Sequence, residues 1–258
     1  AANDKFGWNV SYAGDVNNDG VDDVIVGAPY ANSGAGAAYI FFGYKGFNIA
    51  NSKVMNAATA NVTISGFATN GHFGWSVSDA GDVNGGTPAI GDIIIGEPDN
   101  GAGYAYIFYG RTTWSATYTT ANADVIIAGE SSGDKFGASV SGAGNYDNAG
   151  NADVIVGAYN ADSGKGRAYI FYGDGSIPTG AGSAEVIIQA TSTLSTIGPA
   201  ASAVVSCAHA AVLAARVSRL PAAITVVRDR ARAGTKSANF TVYSPCQRSV
   251  RATRARTR

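Results

Sequence analysis

Cysteine is nearly absent from this 258-residue chain, and its two copies, Cys207 and Cys246, both fall in the last quarter. The rest offers neither a disulfide framework nor a thiolate metal site. Histidine is equally scarce: His72 is the only copy before residue 190, and its place in a loop beside Phe73 reads as that of an exposed polar residue rather than a catalytic one. No stretch approaches the roughly 20 consecutive apolar residues of a membrane helix. A basic and apolar signal pattern is missing from the start, and a chain that opens at Ala1 within a repeated phrase reads as a fragment or processed product. Basic residues are sparse until late. Residues 1–190 carry 18 acidic and 7 basic side chains, a net of −11, whereas 191–258 carry 1 and 11, a net of +10, so the formal charge of −1 is a cancellation. Glu, Leu and Lys are few in the acidic segment while Gly, Asn, Ser, Thr and Tyr abound, which favours short strands and tight turns over helices. The predicted class is all-β.

What fills that segment is one phrase said three times. Phe6-Gly7 leads to Gly27-Ala28-Pro29 and Tyr39-Ile40-Phe41; Phe73-Gly74 to Gly96-Glu97-Pro98 and Tyr106-Ile107-Phe108; Phe136-Gly137 to Gly157-Ala158-Tyr159 and Tyr169-Ile170-Phe171. Spacings of 67 and 63 residues between the Phe-Gly pairs make this a repeat array, with units at 1–66, 67–129 and 130–190. Each unit predicts four strands. In the first they lie around Trp8 to Ala13, at Val24 to Val26, at Ala37 to Phe42 and at Asn61 to Ile64, the last echoed by Asp124 to Ile127 and Glu185 to Ile188. Apolar residues at consecutive positions in the second and third strands suit sheets covered on both faces. Four-stranded units that need a neighbour on either side describe the blades of a β-propeller, and three blades make an incomplete ring. The missing blades are expected from further chain or from another subunit.

Between the first two strands of each unit lies a loop of oxygen-bearing side chains. In the first copy Asp15, Asn17, Asp19 and Asp23 occupy positions 1, 3, 5 and 9, Gly20 permits a sharp turn at 6, and Val21 at 7 offers its carbonyl. Carboxylate, amide and carbonyl oxygens without Cys or His suit Ca²⁺. An EF-hand would need Glu at position 12, where Val26 stands in an apolar strand. The third copy keeps Asn145, Asp147, Asn151 and Asp153 but places Ala149 at position 5, which leaves metal-bound and metal-free readings both open. The second keeps Asp82, Asn84 and Asp92, with Gly86 at position 5 and Asp92 two residues late, and there a metal-free Asx-turn is favoured.

After Pro199 the phrase dissolves into an Ala-, Val- and Arg-rich tail, 191–258, that ends Arg251-Ala252-Thr253-Arg254-Ala255-Arg256-Thr257-Arg258. Ala208 to Leu220 suits a short amphipathic helix, and the Arg-rich end would suit an anionic surface or nucleic acid were it native. Composition favours a disordered or non-native segment, such as a shifted reading frame, so no nucleic-acid partner is assigned.

The order Phe-Gly, Asp-rich loop, Gly-Ala-Pro and Tyr-Ile-Phe over about residues 3 to 190 resembles the FG-GAP repeat of the integrin α-subunit N-terminal propeller and its prokaryotic relatives. The departures are Glu97 for Ala, Tyr159 for Pro, and the altered second loop. The resemblance implies a seven-bladed propeller with cation loops between first and second strands, and ligand recognition on the opposite face. Here that face would include Tyr30, Asn32, Asp99, Asn100, Tyr159, Asn160 and Asp162. It implies a non-catalytic, Ca²⁺-binding module for adhesion or for a protein or glycan ligand, extracellular or at the cell surface. Sequons at Asn9, Asn61 and Asn239 permit glycosylation in that setting. The alternative is a propeller appended to, or scaffolding, a secreted hydrolase or phospholipase whose catalytic part lies elsewhere.

Overall fold

The computed structural model describes residues 3–45 and 55–190, together with the backbone of one later strand at 224–229. The first unit forms β1 (Asn9–Gly14), β2 (Asp23–Ala28), β3 (Ala37–Phe41) and β4 (Val62–Ser65). The second forms β5 (Ser76–Gly81), β6 (Asp92–Glu97) and β7 (Tyr104–Phe108), then a short β8 (Thr117–Thr119), then β9 (Val125–Ala128). The third forms β10 (Phe136–Gly144), β11 (Asp153–Ala158), β12 (Arg167–Phe171) and β13 (Val186–Ala190). Each unit is a four-stranded antiparallel sheet, so the chain is all-β with three sheets of the propeller-blade kind.

Repetition extends to register. Ile25 pairs with Ile40, Ile94 with Ile107 and Ile155 with Ile170. The first strand of every blade breaks register at the same place, between Tyr12 and Gly14, Asp79 and Gly81, and Gly142 and Gly144. Such an irregularity bends the strand and ends its pairing, here just where the Asp-rich loop leaves the sheet.

The consecutive apolar runs bury both faces of the middle blade. Ile93 and Ile95 join Ile25, Ile40 and Ile64 in a core shared with the first blade, while Ile94 joins Val140, Val154 and Phe171 in a core shared with the third. Among the described residues the first blade is covered on one side only. Phe6, Val10 and Val24 are 44%, 64% and 48% exposed, whereas Phe73, Val77 and Ile93 at the same places in the second blade are 0%, 4% and 0%. The first strands β1, β5 and β10 lie side by side.

The repeated glycines make this stacking possible. A Cβ on Gly27 would collide with the Gly74 carbonyl, and one on Gly96 with that of Gly137. The glycines of the second and third Phe-Gly pairs thus press their backbone onto the glycine next to the end of the preceding blade's second strand, an approach no larger residue allows.

Among the described residues two strands lie outside the four-strand pattern. β8 leaves the second blade and pairs in parallel with β4 of the first, Thr63 opposite Thr117. In the basic tail, β14 (Ile224–Asp229) pairs antiparallel with β13. The helix expected at 208–220 and the Phe-Gly-like position at Gly198 lie outside the described residues. Among the described residues no helix is long and apolar enough to cross a membrane.

Candidate functional site

The hairpin between the first and second strands of each blade places the Asp-rich loops at one end of the sheets, and the turns between the second and third strands fall at the other. In the first loop Asn18 and Gly20 take left-handed φ values of 59° and 82°, which curl the chain tightly enough for side chains to cap its own amides. Asp15 Oδ1 accepts from the Asp19 N–H at 3.0 Å and its Oδ2 from the Gly20 N–H at 2.8 Å. Asn17 Oδ1 accepts from the Asp19 N–H at 2.9 Å, and Asp19 Oδ1 from the Val21 N–H at 2.9 Å. Asn17 Nδ2 donates to Asp19 Oδ2 at 3.0 Å, so positions 1, 3 and 5 are brought together.

Asp23 does something the sequence reading missed. Fully buried, it accepts from the Val16 N–H at 3.0 Å and the Gly43 N–H at 2.8 Å, clamping the loop to the end of β3. Asp92 makes the same clamp to Val83 and Gly110 at 2.9 and 2.8 Å, and Asp153 to Tyr146 and Gly173. Recurrence of this Asp in the second copy, where glycine replaces the carboxylate at position 5, was the available signal. Burial is the main cause that raises the Asp23 carboxyl to about 6, with repulsion from Asp19 and Asp15 adding to it and the two backbone donors opposing it.

The other loops close differently. Asp82 Oδ1 accepts from Gly85 and Gly86, and Asn84 Oδ1 from Gly86, with glycine where the first loop has Asp19. In the third, Asp147 caps Ala149 at 2.8 Å while the Asn151 amide leans on Gly85 of the second loop; Asn145 is exposed. Among the described residues no three His, Cys, Asp or Glu side chains form a metal-holding group. The donor chemistry of the first loop nonetheless fits a hard cation, since it combines carboxylate, amide and backbone oxygens, and each carboxylate oxygen keeps a further lone pair.

At the opposite end Tyr30 stacks obliquely on His72 at 4.6 Å, and Trp75 lies against both His72 and Trp8, the latter at 4.9 Å. His72 is not the exposed loop residue expected: its side chain is 16% exposed and its Nδ1 pairs with Asp99. Asp99 also binds Lys135 Nζ at 2.6 Å and so ties the connectors on both sides of the second blade together. Burial works against its charge, but the Lys135 and His72 hydrogen bonds prevail and hold the carboxyl below the usual range.

Glu97 lies buried beneath this group, its Oε2 accepting from Tyr106 and from Asn100, with Oε1 unpartnered among the described residues. Burial raises its carboxyl. The third-blade residues form a separate set: Asn160 donates to the Gly133 carbonyl at 2.8 Å, Asp162 pairs with Lys165 at 3.2 Å, and Tyr159 is half-buried. Asn32 is exposed at a left-handed turn.

Comparison with known proteins fits this geometry. The family model of the FG-GAP repeat matches residues 6–41. Integrin alpha-IIb of Mus musculus is 32% identical over 167 residues, which cover 60% of this chain and 15% of that protein. Integrin alpha-6 of Gallus gallus is 32% identical over 159 residues, 60% of this chain and 13% of the relative, and integrin alpha-7 of Homo sapiens 32% over 158, 59% and 12%. The chain thus spans less than a sixth of the length of these relatives.

Proposed function

We propose, for a chain that carries FG-GAP repeats and resembles the integrin α subunits, the role of a ligand-binding propeller segment steadied by Ca²⁺, extracellular or at the cell surface and without catalysis. The observation that carries this reading is the first loop, where Asp15, Asn17 and Asp19 meet within a blade matched by the repeat family. Asp15, Asn17 and Asp19 would hold the ion through side-chain oxygens, with the Val21 carbonyl and Asp23 completing the set. When bound, the ion offsets the repulsion among the three carboxylates and cross-links the loop. The loop's own Asx-turns already set its curl, so less ordering remains for binding to supply.

Recognition belongs to the other end. Tyr30, Asn32, Asp99 and Asn100 at the first two blades, and Tyr159, Asn160 and Asp162 at the third, supply rigid aromatic area and adaptable polar groups of the kind that contacts protein or glycan. Further blades, from more chain or another subunit, would cover Phe6, Val10 and Val24. The test is thermal unfolding in excess chelator and in millimolar CaCl₂. Ca²⁺ raises the melting temperature of the wild type and Asp19→Ala removes most of that rise; a melting temperature indifferent to Ca²⁺ refutes the cation reading.

A further inference from the structure

We infer that Trp114, in the arm between β7 and β9 of the second blade, is a positioning residue for the cation loop of the first. The inference rests on the reading of that loop as a Ca²⁺ site. Val16 stands between Asp15 and Asn17, loop positions 1 and 3, so its two flanking peptide groups set where those side chains start. Both groups are fastened. The peptide before Val16 donates its N–H to Asp23 Oδ2 at 3.0 Å, and its carbonyl, that of Asp15, accepts from the Gly91 N–H at 3.2 Å. The peptide after it presents the Val16 carbonyl to two donors of the second blade, the Arg111 N–H and the Trp114 indole Nε1–H, each at 2.9 Å.

Trp114 is itself fixed. Its ring meets Tyr118 edge-on at 5.4 Å, the Arg111 guanidinium lies 5.1 Å from its centre, and Arg111 pairs with Asp124. β8 anchors the arm to β4. The loop's first turn is therefore held by a neighbouring blade, and anything that steadies the loop must steady that junction by the same factor, because coupling between two equilibria is reciprocal.

The test is calorimetric titration of the full chain with CaCl₂, wild type against Trp114→Phe, a change that keeps an aromatic ring and removes the indole donor. Losing one hydrogen bond of ordinary strength weakens Ca²⁺ affinity about three- to ten-fold. The rise in melting temperature caused by Ca²⁺ shrinks in the variant, while its melting temperature in chelator moves less. A wild-type Kd in Trp114→Phe, or equal destabilisation with and without Ca²⁺, overturns the inference and leaves the cation reading intact. A wild type that binds no Ca²⁺ overturns both. Should Trp114→Phe fail to fold, a chain with Trp8→Phe and Trp75→Phe leaves Trp114 as its one indole. Its emission then follows the Ca²⁺ titration, and a flat response refutes the link.

Discussion

Gly96→Ala tests the claim that glycine-to-glycine contact sets the spacing of the blades. Gly96 has no left-handed φ, so alanine carries no backbone strain there, and its cost is that of the space alone. A Cβ at this position would overlap the Gly137 carbonyl oxygen and Ser76 Oγ and sit 2.9 Å from the Gly137 carbonyl carbon. Ser76 Oγ can turn away, but the nearest atom is the backbone oxygen of Gly137, which cannot swing aside like a side chain, so blades two and three must separate. Separation of this kind costs about 1–3 kcal/mol for the overpacking. It also endangers the 2.8 Å bond from Ser76 Oγ to Gly137 O, worth about 1 kcal/mol more. A total near 2–4 kcal/mol lowers the melting temperature by roughly 4–16 °C for an array of this size. The assay is urea unfolding at fixed CaCl₂ beside Gly101→Ala, where φ is 61° but no atom lies within 4 Å. Gly101→Ala reports conformational cost without collision. If Gly96→Ala loses no more stability than Gly101→Ala, the contact does not set the spacing and the reasoning fails.

Two further outcomes concern charge. Asp99 is held below the ordinary carboxylate range in the folded chain, so its ion pairs stabilise above the unfolded value near pH 4 and lose that effect as pH falls through the lowered one. The stability gap between wild type and Asp99→Asn therefore closes as urea melts are moved from pH 6 toward pH 3; a constant gap contradicts it. Glu97 has the opposite sign: burial raises it, so the folded chain holds this proton more tightly than the unfolded one, and the advantage is lost as pH rises. Glu97→Gln should gain on wild type between pH 4 and pH 8, and a gap that stays level or moves the other way would rule this out.

The blades were legible because their evidence is periodic: branched and aromatic runs at a fixed spacing mark β2, β3 and their copies, and burial on both faces explains why alternation vanishes there. β8 was not, because three residues, Thr117 to Thr119, carry no apolar pattern and their partner β4 belongs to another blade. That Asp15, Asn17 and Asp19 share one curled loop could be read from spacing, but the partners of the Asp23 clamp could not, since its bonds go to backbone amides whose residue type is irrelevant. His72 escaped for a related reason. Its partner Asp99 lies 27 residues away, across a blade junction that only folding creates.

The uncovered side of the first blade has a consequence for how this chain tolerates change. Phe6, Phe73 and Phe136 open three copies of one phrase, and each meets a tyrosine of its own blade edge-on at 5.4 Å. Yet Phe73 and Phe136 are fully buried and Phe6 is 44% exposed. The same substitution in the three copies is thus three different experiments: shortening Phe73 or Phe136 opens a void between blades, while shortening Phe6 chiefly removes surface that water already reaches. Likeness between repeats measures common design, and the neighbour on each side decides which residues a copy can afford to lose.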